Sequence, residues 1–212
     1  MPDLSDPSFF HSVRQCIAAI RRGLAAHGGP EVAEVLSRLA GQRLENSDFT
    51  EPQPRHLPVL RYFPECIGRA MLVEPTLAAG LAAIEEHLSW RQTSAYTDAV
   101  LGEGFTANYG WAELIGPRGF FPGDDFLLGL LMLGPDRHYR DHHHPAPEIY
   151  WPLTSGSQWR AAPEDFAGKP AGAIIWHHPY QVHATQTGSS PLLTIWAWTR
   201  DTGEPARLVD QA

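Results

Sequence analysis

The chain has 212 residues, a formal net charge of −8 with neutral histidines, and two cysteines. This length suits one domain, or a compact domain with an appended helical segment, and it can bury a core without help from disulfides or a metal. The acidic balance argues against a nucleic-acid partner, which needs a basic face, and against an anionic membrane surface. It permits a small cationic or zwitterionic substrate.

The expected location is the cytoplasm. Cys16 and Cys66 are far apart and outside any CxxC pattern, which fits buried thiols in a reducing compartment. The opening MPDLSDPSFF lacks a basic segment followed by an apolar one, so we expect no secretion signal. No apolar run approaches the length that spans a bilayer, so we expect no membrane partner.

The first hundred residues carry helical patterns. FFHSVRQCIAAIRRGLAAHGG has apolar residues at intervals of three and four, which predicts a helix stopped by Gly28 and Gly29. EVAEVLSRLAG predicts a second helix that ends at Gly41. PTLAAGLAAIEEHLSW predicts a third, with Leu77 and Leu81 on one apolar stripe. The proline-rich FTEPQPRHLPVLRYFPE is interpreted as an extended connector.

After residue 100 the pattern changes to short strands and turns. FLLGLLML (126–133), AGAIIWHHP (171–179) and LLTIWAWT (192–199) are apolar segments bounded by Gly, Pro or Ser. Short strands with such frequent turns are typical of a β-sandwich or a small barrel. We therefore expect a mainly β protein, with a helical N-terminal segment at 1–100 packed on a β-barrel at 101–212.

The segment DHHHPAPEIYWPL (141–153) concentrates the reactive side chains. His142 and His144 are two residues apart, so on a strand they point to the same side, and the same holds for Glu148 and Tyr150. The intervening Pro-Ala-Pro cannot supply a full set of ladder hydrogen bonds and predicts a bend. These four side chains can therefore converge on one interior point.

A further histidine is expected from the segment that offers His177, His178 and His183. We prefer His183, on a predicted strand QVHAT, because Pro179 marks the other two as a turn. Imidazoles and a carboxylate form an N/O donor set suited to one divalent ion of Zn, Fe, Mn, Ni or Co. Burying these imidazoles and this carboxylate would cost free energy unless they bound a metal ion or each other. The predicted metal ligands are His142, His144, Glu148 and His183.

The HxHxxxE pattern, followed by Pro170-Ala171-Gly172 and a late histidine, resembles the metal motifs of the cupin superfamily. The resemblance implies a cupin barrel (a double-stranded β-helix or jelly roll) that holds one divalent metal with the same four ligands. The match departs from the general pattern in two places. The glycine spacing before the first histidine is longer, counted from Gly134, and no asparagine follows His183.

One cupin branch, the bacterial dimethylsulfoniopropionate (DMSP) lyases, is more closely similar. Its HxHPAxExY pattern, preceded by a tyrosine, is matched here from Tyr139 to Tyr150, and the resemblance covers residues 100–200. It implies a carbon–sulfur lyase that cleaves DMSP, a small zwitterion, to dimethyl sulfide and acrylate by β-elimination. Tyr150 is the candidate base, since a nearby divalent cation favours its phenolate. Tyr139 is expected to orient the substrate carboxylate or to act as a second proton-transfer group.

The sulfonium end of such a substrate needs a wall that attracts cations and excludes water. Aromatic faces supply this through cation–π attraction. The candidates for this role are Trp111 and Trp198, for which core packing is the alternative. We also expect Trp196 and Trp198 to share one face of their strand, opposite Ile195 and Ala197.

Other functions stay open at this point. A cupin dioxygenase or a sugar-phosphate isomerase uses the same donor set, although an isomerase needs a basic phosphate clamp and Lys169 is the chain's one lysine. Arg118, Arg137 and Arg140 could replace it. A non-catalytic cupin that binds a small molecule is the third alternative. The sequence also leaves open the native metal, the choice among sulfonium and betaine substrates, and a homodimer.

Overall fold

The computed structural model describes residues 7–209, so part of the segment used to judge a secretion signal lies outside the described residues. In this part of the chain the helices precede the strands. The helices are α1 (Pro7–Ala25), α2 (Pro30–Ala40), α3 (Phe63–Ala70), α4 (Pro75–Ile84) and α5 (Asp98–Leu101). The strands are β1 (Tyr109–Ile115), β2 (Leu127–Leu133), β3 (His138–His143), β4 (Glu148–Pro152), β5 (Ser157–Ala161), β6 (Ala167–Lys169), β7 (Ile175–His177), β8 (His183–Thr187), β9 (Leu192–Trp198) and β10 (Arg207–Leu208).

The first two predicted helices are confirmed. Helix α1 buries the stripe that the sequence indicated, including Val13 and Leu24, and ends at Ala25, before the two glycines. Helix α2 begins at Pro30, where a missing N–H is tolerated, and Gly41 follows its last residue. No helix within residues 7–209 combines the length and apolarity that a membrane crossing requires.

The prediction of an extended connector is wrong for the second half of that segment. Pro58–Tyr62 forms a 3₁₀ turn, and α3 starts at Phe63 with Pro64 in its first turn. Proline there is compatible with a helix, because the first N–H groups of a helix have no partner within it. The third predicted helix is α4, which gives way at Ile84 to a 3₁₀ turn, Glu85–His87.

The strands form two five-stranded antiparallel sheets that face each other around a common interior. Their orders are β1-β2-β9-β4-β7 and β10-β3-β8-β5-β6. Side chains from both sheets form one interior cluster, which includes Tyr139 and Trp159 from the second sheet and Tyr150 and Trp196 from the first. The chain therefore has the mainly β cupin fold with N-terminal helices. The boundary at residue 100 stays a prediction.

The helices cover the outer face of the first sheet, which explains its unbroken apolar runs. On β2, Leu128 and Leu130 belong to the core shared with the helices, whereas Leu131 and Leu133 face the barrel interior. A strand buried on both faces loses the alternation of apolar and polar residues. Strand β9 behaves in the same way, with Ile195 and Ala197 toward the helices and Trp196 toward the interior.

Candidate functional site

A cavity of about 480 Å³ opens into the barrel between the two sheets. This volume is within the range of small-molecule sites. Seven of the eight predicted site residues line it, namely Trp111, Tyr139, His142, His144, Glu148, Tyr150 and Trp198. The eighth, His183, is buried and contacts Glu148.

Strand register explains how these residues meet. In the first sheet, Glu148 on β4 is paired with Trp198 on β9. In the second sheet, His142 on β3 is paired with His183 on β8. Paired residues of an antiparallel ladder share a face, so each pair enters the interior together. A register shift in β3 between Tyr139 and His142 turns both residues inward although they are three positions apart.

His144, Glu148 and His183 form a cluster that could hold a metal ion. One ligand atom from each lies within 4.8 Å of the others, and all three side chains are buried. His144 Nε2 is 3.0 Å from Glu148 Oε2, and His183 Nε2 is 3.3 Å from the same oxygen. The bend at 145–147 and the start of β4 bring His144 and Glu148 together, because His144 immediately follows β3.

Backbone carbonyls determine how the histidine rings are oriented. Nδ1 of His142, His144 and His183 lies 2.8, 2.9 and 2.8 Å from the carbonyl oxygens of Arg140, Ala146 and Gln181, respectively. A carbonyl only accepts, so each Nδ1 carries the proton and donates it. In the neutral ring, Nε2 is then an acceptor. This arrangement is typical of metal-binding histidines, whose second nitrogen is held by a hydrogen bond.

The donor set therefore fits a cation. With its Nδ1 proton donated to Ala146, neutral His144 directs an Nε2 lone pair at the Glu148 carboxylate. Two acceptors at this distance require a cation between them or a second proton on the ring. Nε2 of His183 is buried without a hydrogen-bond partner among the described residues, since its contact with Glu148 is not aligned for one. A single metal cation would satisfy all three atoms at once.

The electrostatics of the cluster favour a charged carboxylate at Glu148. Burial raises the pKa of Glu148, but the neighbouring His144 and His183 outweigh it and bring this pKa well below its usual value. Burial also lowers the pKa of His142 well below the ordinary histidine value. His142 is not a member of the tight group of three, but its ring centroid is 4.1 Å from that of His183.

Both predicted tyrosines lie inside the barrel. Tyr150 is buried, and burial together with the charge of Glu148 raises its pKa well above the ordinary value. Tyr139 is buried too, and its ring stacks on His142 with 4.0 Å between centroids. Its hydroxyl lies 3.3 Å from that of Tyr96. Tyr139 therefore lies in the barrel interior and not in water at a strand edge.

The sequence did not indicate the other phenols of this interior. Tyr96 precedes α5 in an irregular segment, and no periodicity could have pointed to it. Tyr109 lies two residues before Trp111 on β1, so both side chains are on the same face of the strand.

The two predicted tryptophans occupy different parts of the cavity wall. Trp198 donates its indole N–H to Glu148 Oε1 at 2.8 Å and stacks on His144 with 4.3 Å between centroids. Trp111 lies away from the donor cluster, where the guanidinium of Arg118 is 5.8 Å from its ring centroid. Trp196 lies between them, with ring centroids 6.4 Å from Trp111 and 6.1 Å from Trp198.

His177 was misjudged from the sequence. It is the last residue of β7, is buried and stacks on His183, so the interpretation of His177 as part of a turn is wrong. The turn begins one residue later, at His178, and includes Tyr180 with a positive φ of 59°. Pro170–Gly172 does form a turn, but it leads into β7 rather than β8.

Comparison with known proteins agrees with this architecture. The model of the dimethylsulfoniopropionate lyase family matches residues 31–194. Among curated proteins, the chain is 28% identical over 135 residues to the putative dimethylsulfoniopropionate lyase DddL of Cereibacter sphaeroides, covering 63% of this chain and 57% of that protein. It is 29% identical over 140 residues to the dimethylsulfoniopropionate lyase DddQ of Ruegeria pomeroyi, covering 62% of each. The matched regions thus span less than two thirds of these relatives.

Solved structures are similar over nearly the whole chain. A crystal structure from a study of the DMSP lyases RdDddP and RnDddQII has a TM-score of 0.75 and 25% identity, covering 94% of this chain and 98% of that one. The crystal structure of DddQ from Ruegeria pomeroyi has a TM-score of 0.66 and 20% identity, covering 97% and 98%, and supports the fold. The family match covers most of the residues that form the cavity. The chain therefore belongs to the dimethylsulfoniopropionate lyase family, a family of carbon–sulfur lyases.

Proposed function

We propose that this chain cleaves DMSP to dimethyl sulfide and acrylate by a metal-dependent β-elimination. The observation that carries the proposal is the 3.0 Å approach of His144 Nε2 to Glu148 Oε2 in a buried cluster beside Tyr150. This arrangement calls for a cation next to a phenol in a cavity of small-molecule size. The relatives named as DMSP lyases support the choice of substrate.

The proposed ligands of the metal are His144, Glu148 and His183, with His142 as the fourth. This mixed N/O set suits Zn, Fe, Mn, Ni or Co. A divalent cation bound there would supply Lewis acidity to the substrate carboxylate and would favour the phenolate of Tyr150. The hydrogen bonds from the three Nδ1 atoms to backbone carbonyls keep the rings ready for this role.

Tyr150 is the proposed base. Its phenolate oxygen takes the proton from the carbon next to the substrate carboxylate. The electron pair of that C–H bond forms the new C=C bond, the C–S bond breaks, and dimethyl sulfide leaves with the bonding pair. Because a neutral zwitterion yields acrylate, neutral dimethyl sulfide and one proton, Tyr150 must release that proton to solvent in each cycle.

Tyr139 is proposed to orient the substrate carboxylate or to serve as a second proton-transfer group. It lines the cavity, and its hydroxyl already lies 3.3 Å from that of Tyr96. Burial, and then the neighbouring phenols, raise its pKa well above the ordinary value, so it is a hydrogen-bond donor at neutral pH.

Trp111 and Trp198 are proposed to face the sulfonium. Trp111 already has a cation near its ring, the guanidinium of Arg118, which supports a cation–π role. Trp198 also supports the carboxylate through its indole N–H. Its removal would therefore affect metal binding as well as substrate binding, which makes Trp111 the better test of the sulfonium wall.

One feature of the cavity favours a second candidate function. Arg55, Arg91 and Arg118 line it, and three arginines could bind the phosphate of a sugar phosphate. A sugar-phosphate isomerase is therefore the alternative. Arg137 and Arg140, which the sequence also suggested, instead donate to the carbonyl oxygens of Glu103 and Val100.

The deciding experiment incubates metal-loaded protein with DMSP and measures acrylate by absorbance and dimethyl sulfide in the headspace. We expect equal amounts of both products and no oxygen uptake. Oxygen consumption without dimethyl sulfide would favour a dioxygenase, and turnover of a sugar phosphate instead of DMSP would favour the isomerase. Saturable DMSP binding with neither product would favour a non-catalytic binding protein.

We also propose a cytoplasmic protein that acts on its small zwitterionic substrate as a homodimer, without a nucleic-acid or membrane partner. The two free cysteines, Cys16 and Cys66, are buried, which is compatible with a reducing compartment. Cell fractionation tests the location, and light scattering of the purified protein tests the dimer.

A further inference from the structure

His177 is buried next to the proposed metal ligands, yet it has no part in the chemistry described above. It is 1% exposed and is paired with Glu148 across the β4–β7 ladder. Its side chain therefore enters the barrel on the same face as the carboxylate. There its imidazole stacks on that of His183, with 4.0 Å between centroids and 12° between ring planes.

Hydrogen bonding does not account for this position. Within residues 7–209, neither ring nitrogen of His177 has a hydrogen-bond partner. Burying polar atoms without partners destabilises the folded state, so hydrogen bonding gives no reason for an imidazole at this position. The contacts that remain are ring contacts, with the face of His183 and, at 5.9 Å and 71°, with Tyr150.

The rings of His142 and His144, the other two histidines of the proposed metal site, are each held by a hydrogen bond and a stacked ring. The ring of His142 is held by its Nδ1 hydrogen bond and by Tyr139, stacked at 4.0 Å and 12°. The ring of His144 is held by its Nδ1 hydrogen bond and by Trp198, stacked at 4.3 Å and 29°. In each ring a hydrogen bond thus fixes the direction of Nδ1, and a stacked neighbour fixes the ring plane.

His183 follows this pattern only if His177 is counted. Its Nδ1 donates to Gln181, and His142 meets its ring nearly edge-on at 4.1 Å and 62°, whereas His177 is stacked almost parallel to its plane at 12°. On the basis of the proposed metal site, we propose that His177 is a positioning residue whose ring fixes the plane of His183 and so directs its Nε2 toward Glu148. What matters at position 177 is a flat ring, and the nitrogens are dispensable.

Three variants test this inference: His177→Ala and His177→Asn, which lack an aromatic ring, and His177→Phe, which keeps one. The readouts are zinc affinity, measured against a competing chelator, and the visible spectrum of the cobalt(II) form. Loss of the ring is expected to weaken zinc binding by about 10–100-fold, the usual effect of removing a residue that supports a ligand. His177→Phe should bind zinc within about threefold of the original protein and keep its cobalt spectrum, because the ligands themselves are unchanged.

His178→Ala is the matched control, because His178 is adjacent and exposed, and it should bind zinc normally. Circular dichroism identifies any variant that fails to fold. If His177→Ala does not fold, the comparison of zinc affinity between His177→Asn and His177→Phe tests the inference. Zinc binding of normal strength in a folded variant without the ring, or a folded His177→Phe as weak as His177→Ala or His177→Asn, would overturn the inference alone. An unaltered protein that takes up no zinc, cobalt or other divalent ion would overturn the metal site itself, and this inference with it.

Discussion

His144 Nε2 and Glu148 Oε2 lie 3.0 Å apart in the barrel interior, while the other nitrogen of His144 is bound to the carbonyl of Ala146. The imidazole proton is thus on the far side of the ring, and two electron-rich atoms face each other in a buried site. The other carboxylate oxygen of Glu148, Oε1, accepts a hydrogen bond from the indole N–H of Trp198, which holds the carboxylate in place. The cluster is therefore suited to binding a cation.

Glu148→Gln tests that charge. The substitution keeps the shape of the side chain but removes the negative oxygen shared by His144 and His183. Since even a residue that only supports a ligand contributes about 10–100-fold to metal affinity, loss of this ligand should weaken zinc binding by more than about 100-fold. Competition with a chelator measures the affinity.

The matched control is Glu113→Gln. Glu113 is also a buried carboxylate on the cavity wall, but its contacts are with Arg118. The Glu113→Gln variant should bind zinc like the unaltered protein. Equal losses in both variants would mean that general charge in the cavity, rather than ligation by Glu148, determines affinity.

Tyr150→Phe should lose elimination and keep the metal. Removal of a general base lowers turnover by about 10²–10⁴-fold, while the donor atoms of the cluster are unaffected. Acrylate release and bound metal are measured on the same sample. Tyr180→Phe, at a tyrosine that is 61% exposed, serves as the control and should be fully active. Full activity of Tyr150→Phe would remove this residue as the base.

Trp111→Leu should weaken binding of the zwitterion DMSP without affecting binding of the product acrylate. Cation–π contacts contribute about 0.5–2 kcal/mol, so DMSP should bind more weakly by that amount. Acrylate has a carboxylate but no sulfonium, and its inhibition constant should not change. A parallel loss for both ligands would place the effect of Trp111 in the shape of the cavity rather than in recognition of the cation.

The stability of the metal-free protein should fall with acidification. Burial lowers the pKa of His142, and it lowers that of His177 to about 3. Histidines in the unfolded chain have a pKa near ~6.5, so below that pH the unfolded state binds more protons than the folded state. The free energy of unfolding should then decrease from about pH 6.5 toward pH 3, by up to about 1.4 kcal/mol per pH unit for each histidine.

Denaturant unfolding of chelator-treated protein at pH 7 and pH 5 measures this effect. His177→Phe, which has one buried histidine fewer, should show a shallower decrease. Equal stability at both pH values, or greater stability at pH 5, would contradict the assignment of neutral, buried imidazoles.

Much of the site could be predicted because its residues are close in sequence. His142 and His144, and then Glu148 and Tyr150, are two apart, and a bend of known chemistry separates the pairs. Local geometry was therefore sufficient to expect these four side chains at one point of the interior. Strand β9 was predictable in the same way, since alternation alone puts Trp196 and Trp198 on one face.

The remaining features depend on contacts that are distant in sequence. The face of β9 that points inward could not be read from composition, because the helices make both faces apolar. His177 was missed because Pro179 indicates a turn but does not fix where the preceding strand ends. Tyr96 reaches Tyr139 from 43 residues away, and only the fold brings their hydroxyls together. Helix α3 was missed because Pro64, in its first turn, follows several prolines that are typical of an extended segment.

The most direct test of the account is titration of the chelator-treated protein with a divalent metal while dimethyl sulfide release from DMSP is recorded. The account predicts almost no turnover without metal, a linear rise, and a plateau at one ion per chain. Full turnover by protein that retains only a trace of metal, or absence of dimethyl sulfide from protein carrying one ion per chain, would contradict it.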